Sequence, residues 1–311
     1  MLLFNIHQLL LSRSNIVSGY QHYIMSGSTG GKKRKIEASD DVFEYTGSGQ
    51  TVPKNITHVR FHPSVVKVDN NAFDSCRELR KVVLNEGLQK IGNSAFYACK
   101  SVESITLPST VTEISQSAFN RCTSLREVAL NKGLRKIGPA VFWDCASLQS
   151  IAIPSTVSEI GRSAFESCNS LRTVVFSDSN KMKKTALTAY LIQNGLKKIE
   201  PNTFSDCKSL ESITLPSTLT EIGERAFDRC KKLTDVELKE GLQKIDQRAF
   251  YENKSLKRIV IPNTVNSIGS MAFKGCTELK EVTLDHKKIE TMGDNVFEGC
   301  PSSPTVITPT K

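Results

Sequence analysis

Apolar residues recur along this chain with a single period. Phenylalanine stands at Phe73, Phe96, Phe119, Phe142, Phe165, Phe204, Phe227, Phe250, Phe273 and Phe297, in steps of 23 residues apart from one of 39 and a last one of 24. Three residues after each Phe comes Cys, at Cys76, Cys99, Cys122, Cys145, Cys168, Cys207, Cys230, Cys276 and Cys300, with Asn253 in the single gap. Each unit continues with alternating apolar and polar positions, such as Val102, Ile105 and Leu107, which predict a short strand with one buried face. A second apolar pair, Leu88 with Ile91 or Val111 with Ile114, turns inward on the return path. One such unit cannot bury its apolar face alone, whereas stacked units share a continuous core. The pattern predicts about ten units stacked with strands parallel, about 4.7–4.9 Å apart. It replaces the two globular domains that 311 residues would otherwise suggest.

The polar positions repeat every second unit. After the strand, some units carry Asn85-Glu86-Gly87, Asn131-Lys132-Gly133 or Lys239-Glu240-Gly241. The units between them carry Pro108-Ser109-Thr110, Pro154-Ser155-Thr156, Pro216-Ser217-Thr218 or Pro262-Asn263-Thr264. Gly and Thr thus take one turn position by turns. Gly allows a positive φ there, and a Thr hydroxyl can bond the local backbone. Charge alternates as well. The residue before the return-path Ile is Lys90, Glu113, Lys136, Glu159, Lys198, Glu221 and Lys244 in turn, and a second column runs Arg80, Glu103, Arg126, Gln149, Arg172 and Glu211. Stacked in register, these columns set opposite charges side by side, at about 0.2–1 kcal/mol per pair. They are read as register-setting surface ladders.

The string Ile91-Gly92-Asn93-Ser94-Ala95-Phe96 followed by Cys99, and its counterpart Ile222-Gly223-Glu224-Arg225-Ala226-Phe227 followed by Cys230, resemble the BspA-type leucine-rich repeat family, named after bacterial surface adhesins and found also in microbial eukaryotes. The resemblance covers residues 56–300. It implies an α/β-type, right-handed leucine-rich-repeat solenoid with a parallel sheet on the concave face. It implies adhesion, surface contact or scaffolding rather than catalysis, and carries over no ligand site, because the matching residues are structural. The Gly/Thr column stands where the common leucine-rich repeat has an Asn ladder.

The organisation expected is a weak signal-like or mis-annotated segment over residues 1–25, a flexible basic and polar tail over 26–55, the solenoid over 56–300 and a Pro-rich tail over 301–311. Residues 1–25 lack a basic stretch ahead of their apolar run, and His7 and Gln8 interrupt it, so Met25 is an alternative start. Val59, Phe61, Val65 and Val68 read as an N-terminal cap over the first core layer. The long step places an insertion over 177–195 on the rim. Lys181, Lys183 and Lys184 make it basic, and Leu187, Tyr190 and Leu191 sit at helical spacing. Lys32, Lys33, Arg34 and Lys35 have two readings, a nuclear-import or nucleic-acid contact and a solvated charge run. Thr29-Gly30-Gly31-Lys32 fails as a phosphate loop, since Ser26 and Lys33 stand where Gly and Ser or Thr are required.

Candidate chemistry is sparse. The cysteines are 23 apart in most units and form no metal knuckle, so they read as small buried hydrophobes. Free thiols fit a reducing compartment and, with the weak leader over residues 1–25, favour an intracellular scaffold, while the surface members of the resembled family favour a secreted or surface-displayed recognition protein. No paired catalytic motif recurs; the chain is expected to be no enzyme, to need no cofactor and to be a monomer with protein partners. The net charge of +9 is mostly the remainder of cancelling ladders, so nucleic acid is not the expected partner. No apolar run is long enough to span a membrane. Outward strand positions form the expected contact face, including Lys81, Glu127, Asp235, Glu237, Arg258 and Glu281, together with Lys183, Lys184 and Tyr190 of the insertion. Tyr97, Trp143 and Tyr251, each following a repeat Phe, are expected to pack over turns.

Overall fold

A computed structural model of the chain describes residues 42–176, 195–301 and 305–307. Each unit makes one coil with three sides. The first side is a strand of three or four residues, such as Ser104–Thr106, Ser150–Ile153 or Thr173–Phe176. The second is a two-residue strand, such as Lys90–Ile91 or Glu113–Ile114. The third is an arc of turns running to the repeat Cys. Strands of successive coils pair in parallel, with equivalent residues opposite each other: Ser150 with Thr173, Thr173 with Ser212, Ser212 with Asp235. Among the described residues the only helix is one 3₁₀ turn, His286–Lys288, so the α/β label does not fit and the fold is a β-solenoid.

The arc explains why helices are not needed. It carries two left-handed residues four apart, for example Ser94 at φ 51° and Ala98 at φ 53°. Alternate peptide groups then point along the stack. Asn71, Phe73 and Ser75 donate their N–H to the carbonyls of Asn93, Ala95 and Tyr97 in the next coil, at 2.9, 2.7 and 2.7 Å. This third backbone ladder satisfies polar groups that the buried arc would otherwise leave unpaired. It offsets the cost of left-handed non-glycine residues, about 1–2 kcal/mol each.

Ten phenylalanine rings form one column through the core. Neighbouring centroids from Phe73 to Phe297 lie 4.9–5.6 Å apart with interplanar angles of 1–15°, an offset-stacked geometry. The insertion does not break the column, since Phe165 stacks on Phe204 at 5.4 Å and 5°. The long strands also stay paired across it. The short strands instead fall into two five-stranded sheets, one ending at Glu159–Ile160 and the other starting at Lys198–Ile199. Lys183, Lys184, Tyr190 and the helical spacing expected there lie outside the described residues, as do Lys32, Lys33, Arg34 and Lys35.

Both ends of the sheet extend beyond the expected limits. Val42–Tyr45, placed in the flexible tail by its Gly- and Ser-rich surroundings, is a strand paired with His58–Phe61. Its Tyr45 is buried and closes the phenylalanine column edge-on, 5.1 Å from Phe73 at 61°, with its hydroxyl donating to Asp69 at 3.0 Å. Val59, Phe61, Val65 and Val68 are buried beside it. At the other end Thr305–Ile307, read as tail because prolines surround it, pairs with Glu281–Thr283. Proline is absent from those three residues, so each keeps its backbone donor.

The Gly/Thr column is a clamp between coils. Thr110 donates its hydroxyl to the Leu88 carbonyl at 2.7 Å and accepts the Gly87 N–H at 3.1 Å. Thr264 does the same with Leu242 and Gly241, at 2.7 and 3.0 Å. Gly87 and Gly241 have the expected positive φ, 107° and 105°. Gly133 does not; it is needed because a Cβ there would lie 2.8 Å from the Ser109 carbonyl oxygen.

Candidate interaction surfaces

The long-strand face is shaped by period-two alternation. Inward residues such as Ile105, Ile151, Val174, Val236, Ile259 and Val282 are buried, so their neighbours must point outward. Lys81, Glu127, Asp235, Glu237, Arg258 and Glu281 are all exposed on it. They do not form one cluster. Lys81 and Glu127 are separated by the Ser104–Thr106 strand, and the middle of the face carries Ser150, Ala152, Thr173, Val175, Ser212 and Thr214. Charge gathers instead on three successive coils, Asp235 and Glu237, then Arg258, then Glu281. Arg258 lies opposite Glu281 in register. Two adjoining depressions of ≈ 680 and ≈ 500 Å³ both include Asp235, Arg258 and Glu281. Glu237 is paired with Lys239, whereas Arg258 makes no ion pair among the described residues.

The short-strand face carries the first charge ladder. Lys90 meets Glu113 at 2.7 Å and Lys136 meets Glu159 at 2.7 Å. Glu221 bridges Lys198 and Lys244 at 3.2 and 3.5 Å. The lysine beside it, helped also by Ser115, holds the Glu113 carboxyl below its usual range. These groups are exposed enough that each pair is worth under about 1 kcal/mol. The ladder is not perfect, because Lys67 lies opposite Lys90. The second column, Arg80 to Glu211, shows no ion pair among the described residues.

The cysteines are more than small hydrophobes. From Cys99 onward each thiol donates to the Phe carbonyl of the preceding coil, such as Cys99 to Phe73, Cys122 to Phe96 and Cys145 to Phe119 at 3.1–3.2 Å, while Cys76 of the first coil donates to the Pro53 carbonyl. Asn253 fits the same place because its Nδ2 donates to the Phe227 carbonyl at 2.9 Å, although its Oδ1 is left buried and unpartnered. Burial pushes the thiols of Cys99, Cys145, Cys168, Cys207 and Cys230 up. All nine cysteines are free. A buried thiol with little thiolate is inert in any redox setting, so its reduced state says little about compartment.

The turn face holds the aromatic and arginine side chains. Tyr97, Trp143 and Tyr251 are half-buried, and an arginine holds each of them in addition to turn packing. Arg121 donates to the Tyr97 hydroxyl at 3.0 Å and lies over the Trp143 ring at 5.1 Å. Further along, Arg248 lies over Tyr251 at 5.6 Å, and Arg229 is paired with Asp206 at 2.9 Å. Beside them Asp228 is only 5% exposed, and burial raises its carboxyl to a pKa of about 6. The positions that carry these groups were not among the expected site residues. Among the described residues no group of three or more His, Cys, Asp or Glu could hold a metal ion. No helix among them is long and apolar enough to cross a membrane.

The model of the BspA-type leucine-rich repeat region matches residues 52–172 and 176–304. Among solved structures the chain is similar to a leucine-rich repeat protein from Bacteroides ovatus, with 29% identity over 76% of this chain and 57% of that one, and a TM-score of 0.65. It thus spans little more than half of that protein's length. It is also similar to a leucine-rich repeat protein from T. pallidum, with 27% identity over 62% of this chain and 83% of that one, and a TM-score of 0.48. No curated protein sequence matches.

Proposed function

The chain belongs to the BspA-type leucine-rich repeat family, and from that premise we propose that it is a non-catalytic recognition scaffold that presents its long-strand face to a protein partner. One observation carries the reading. A rigid parallel sheet displays an unrepeated charge pattern, Asp235, Glu237, Arg258 and Glu281, on a background of small outward residues. Charges of this kind set partner choice and association rate more than raw affinity. The small residues leave the sheet flat, which suits extended or multivalent contact.

The family supports a secreted or surface-displayed protein better than an intracellular one. The intracellular expectation rested on free thiols and on the weak leader over residues 1–25; burial accounts for eight of the nine thiols without any reducing compartment, Cys300 being half-buried. We propose in addition that the chain acts as a monomer. To test the recognition reading, the chain and an Arg258→Glu variant would be displayed at equal density and compared for partner retention. Retention reduced about tenfold or more by the variant is expected; equal retention by a variant of unchanged thermal stability would remove the sheet from the account.

A further inference from the structure

Two stretches of the chain carry the Asn-x-Ser/Thr pattern, Asn55-Ile56-Thr57 and Asn253-Lys254-Ser255. In a protein that passes through a secretory route this pattern marks an acceptor for an N-linked glycan. The fold treats the two asparagines in opposite ways.

Asn253 fills the repeat Cys position and is fully buried. Its Nδ2, the atom that would carry a sugar, donates to the Phe227 carbonyl at 2.9 Å. The close-packed column has no space for a glycan, so that coil cannot close around one.

Asn55 lies in the turn ahead of the His58–Phe61 strand and is exposed. Its side chain makes no hydrogen bond or ion pair among the described residues. Thr57, which supplies the hydroxyl the pattern requires, is half-exposed. Ile56 between them packs against the core, which leaves its two neighbours on the outer side. The stack holds this turn by its backbone: the Thr57 carbonyl accepts from the Arg80 and Lys81 N–H groups at 2.8 and 3.2 Å. A group on Asn55 Nδ2 therefore displaces no contact that closes the coil.

We propose that Asn55 is an N-glycosylation site and that the folded chain carries a single N-linked glycan there. The inference rests on the secreted or surface-displayed reading. In the transfer, Asn55 Nδ2 bonds to the anomeric carbon of a lipid-linked oligosaccharide diphosphate. The bond from that carbon to the diphosphate oxygen breaks and the lipid diphosphate leaves. One Nδ2 proton passes to a base of the transferase, and nothing is oxidised or reduced. Along the long-strand face, His58–Phe61 lies seven strands from Asp235–Glu237, about 34 Å at the usual spacing. The attachment point thus stands clear of the charges that the protein-recognition reading uses.

The test expresses the full chain behind a cleavable secretory leader in a eukaryotic cell and recovers it from medium and cells alike. Peptide-N-glycosidase should remove one glycan per chain and convert Asn55 to Asp, read by peptide mass spectrometry. Asn55→Gln and Thr57→Ala should each abolish the glycan, and Thr57→Ser should keep it. Thermal unfolding of Asn55→Gln should match that of the deglycosylated parent. An unmodified Asn55 in every fraction, or a glycan that persists in Asn55→Gln, would overturn the proposal. The effect of Arg258→Glu on partner retention is measured separately, so an unmodified Asn55 leaves the sheet reading standing.

Discussion

The long-strand face and the turn face are two sides of the same coils, yet they spend their side chains differently. The first uses a regular ladder of extended residues, and its outward positions are mostly small or singly charged. The second uses left-handed turns, and its outward positions carry the sole Trp, two Tyr and several Arg. Residues of the latter kind dominate binding energetics elsewhere. Both faces rest on one interior, so a repeat can vary each surface independently provided the Phe and Cys columns stay. Keeping the core columns is what lets one backbone carry two surfaces of unlike composition.

The strongest way to break the comparison is to damage what the two faces share. Phe165→Ala removes the ring that stacks on Phe204 across the insertion. It should cost about 3–5 kcal/mol in denaturant unfolding and weaken both faces together. Loss confined to one face would show that the faces are not carried by a common core.

A change confined to the turn face should do the opposite. Asp228 has its folded pKa raised from 3.8 to about 6 by burial. The folded state therefore holds its proton more tightly than the unfolded chain, and this group lowers stability as pH rises from about 4 to about 6. Asp228→Asn should raise stability at pH 7 by about 1–3 kcal/mol and give no gain below about pH 4. Calorimetric unfolding across that range checks the sign. Smaller still, Thr110→Val removes a hydroxyl that makes two bonds to the preceding coil, to Leu88 and Gly87. About 1–2 kcal/mol should be lost, with both surfaces unchanged when measured well below the unfolding temperature.

The strands and the core columns were legible because they are apolar and periodic. Phe, Cys and the paired Ile positions can be read at a fixed step, and they are buried where that step puts them except in the last coil, where Phe297 and Cys300 are half-buried and Met292 is exposed. The third ladder was not legible, since it is made of backbone groups and left-handed residues as varied as Ser94, Arg225 and Met271. Val42–Tyr45 was missed because Gly47, Ser48 and Gly49 beside it look like linker, and Tyr45 has no counterpart in the repeat. The Asp228 cluster draws on separate coils, so only stacking unites it. A clue was present all the same: Arg225 and Arg248 are 23 apart and hold the same place in adjacent units, where Ser94, Ser117 and Ser163 stand elsewhere. Reading every column for its exceptions, rather than its consensus, would have exposed them.

The central claim is that the long-strand face, not the turn face, meets the protein partner. Site-specific photo-crosslinking tests it most directly, with a photoreactive residue at exposed Thr214 on the sheet or at exposed Arg162 on the arc, both in otherwise unchanged chains. The account predicts a discrete protein adduct from Thr214 that Arg258→Glu diminishes, and none from Arg162. Adducts from Arg162 alone would contradict it.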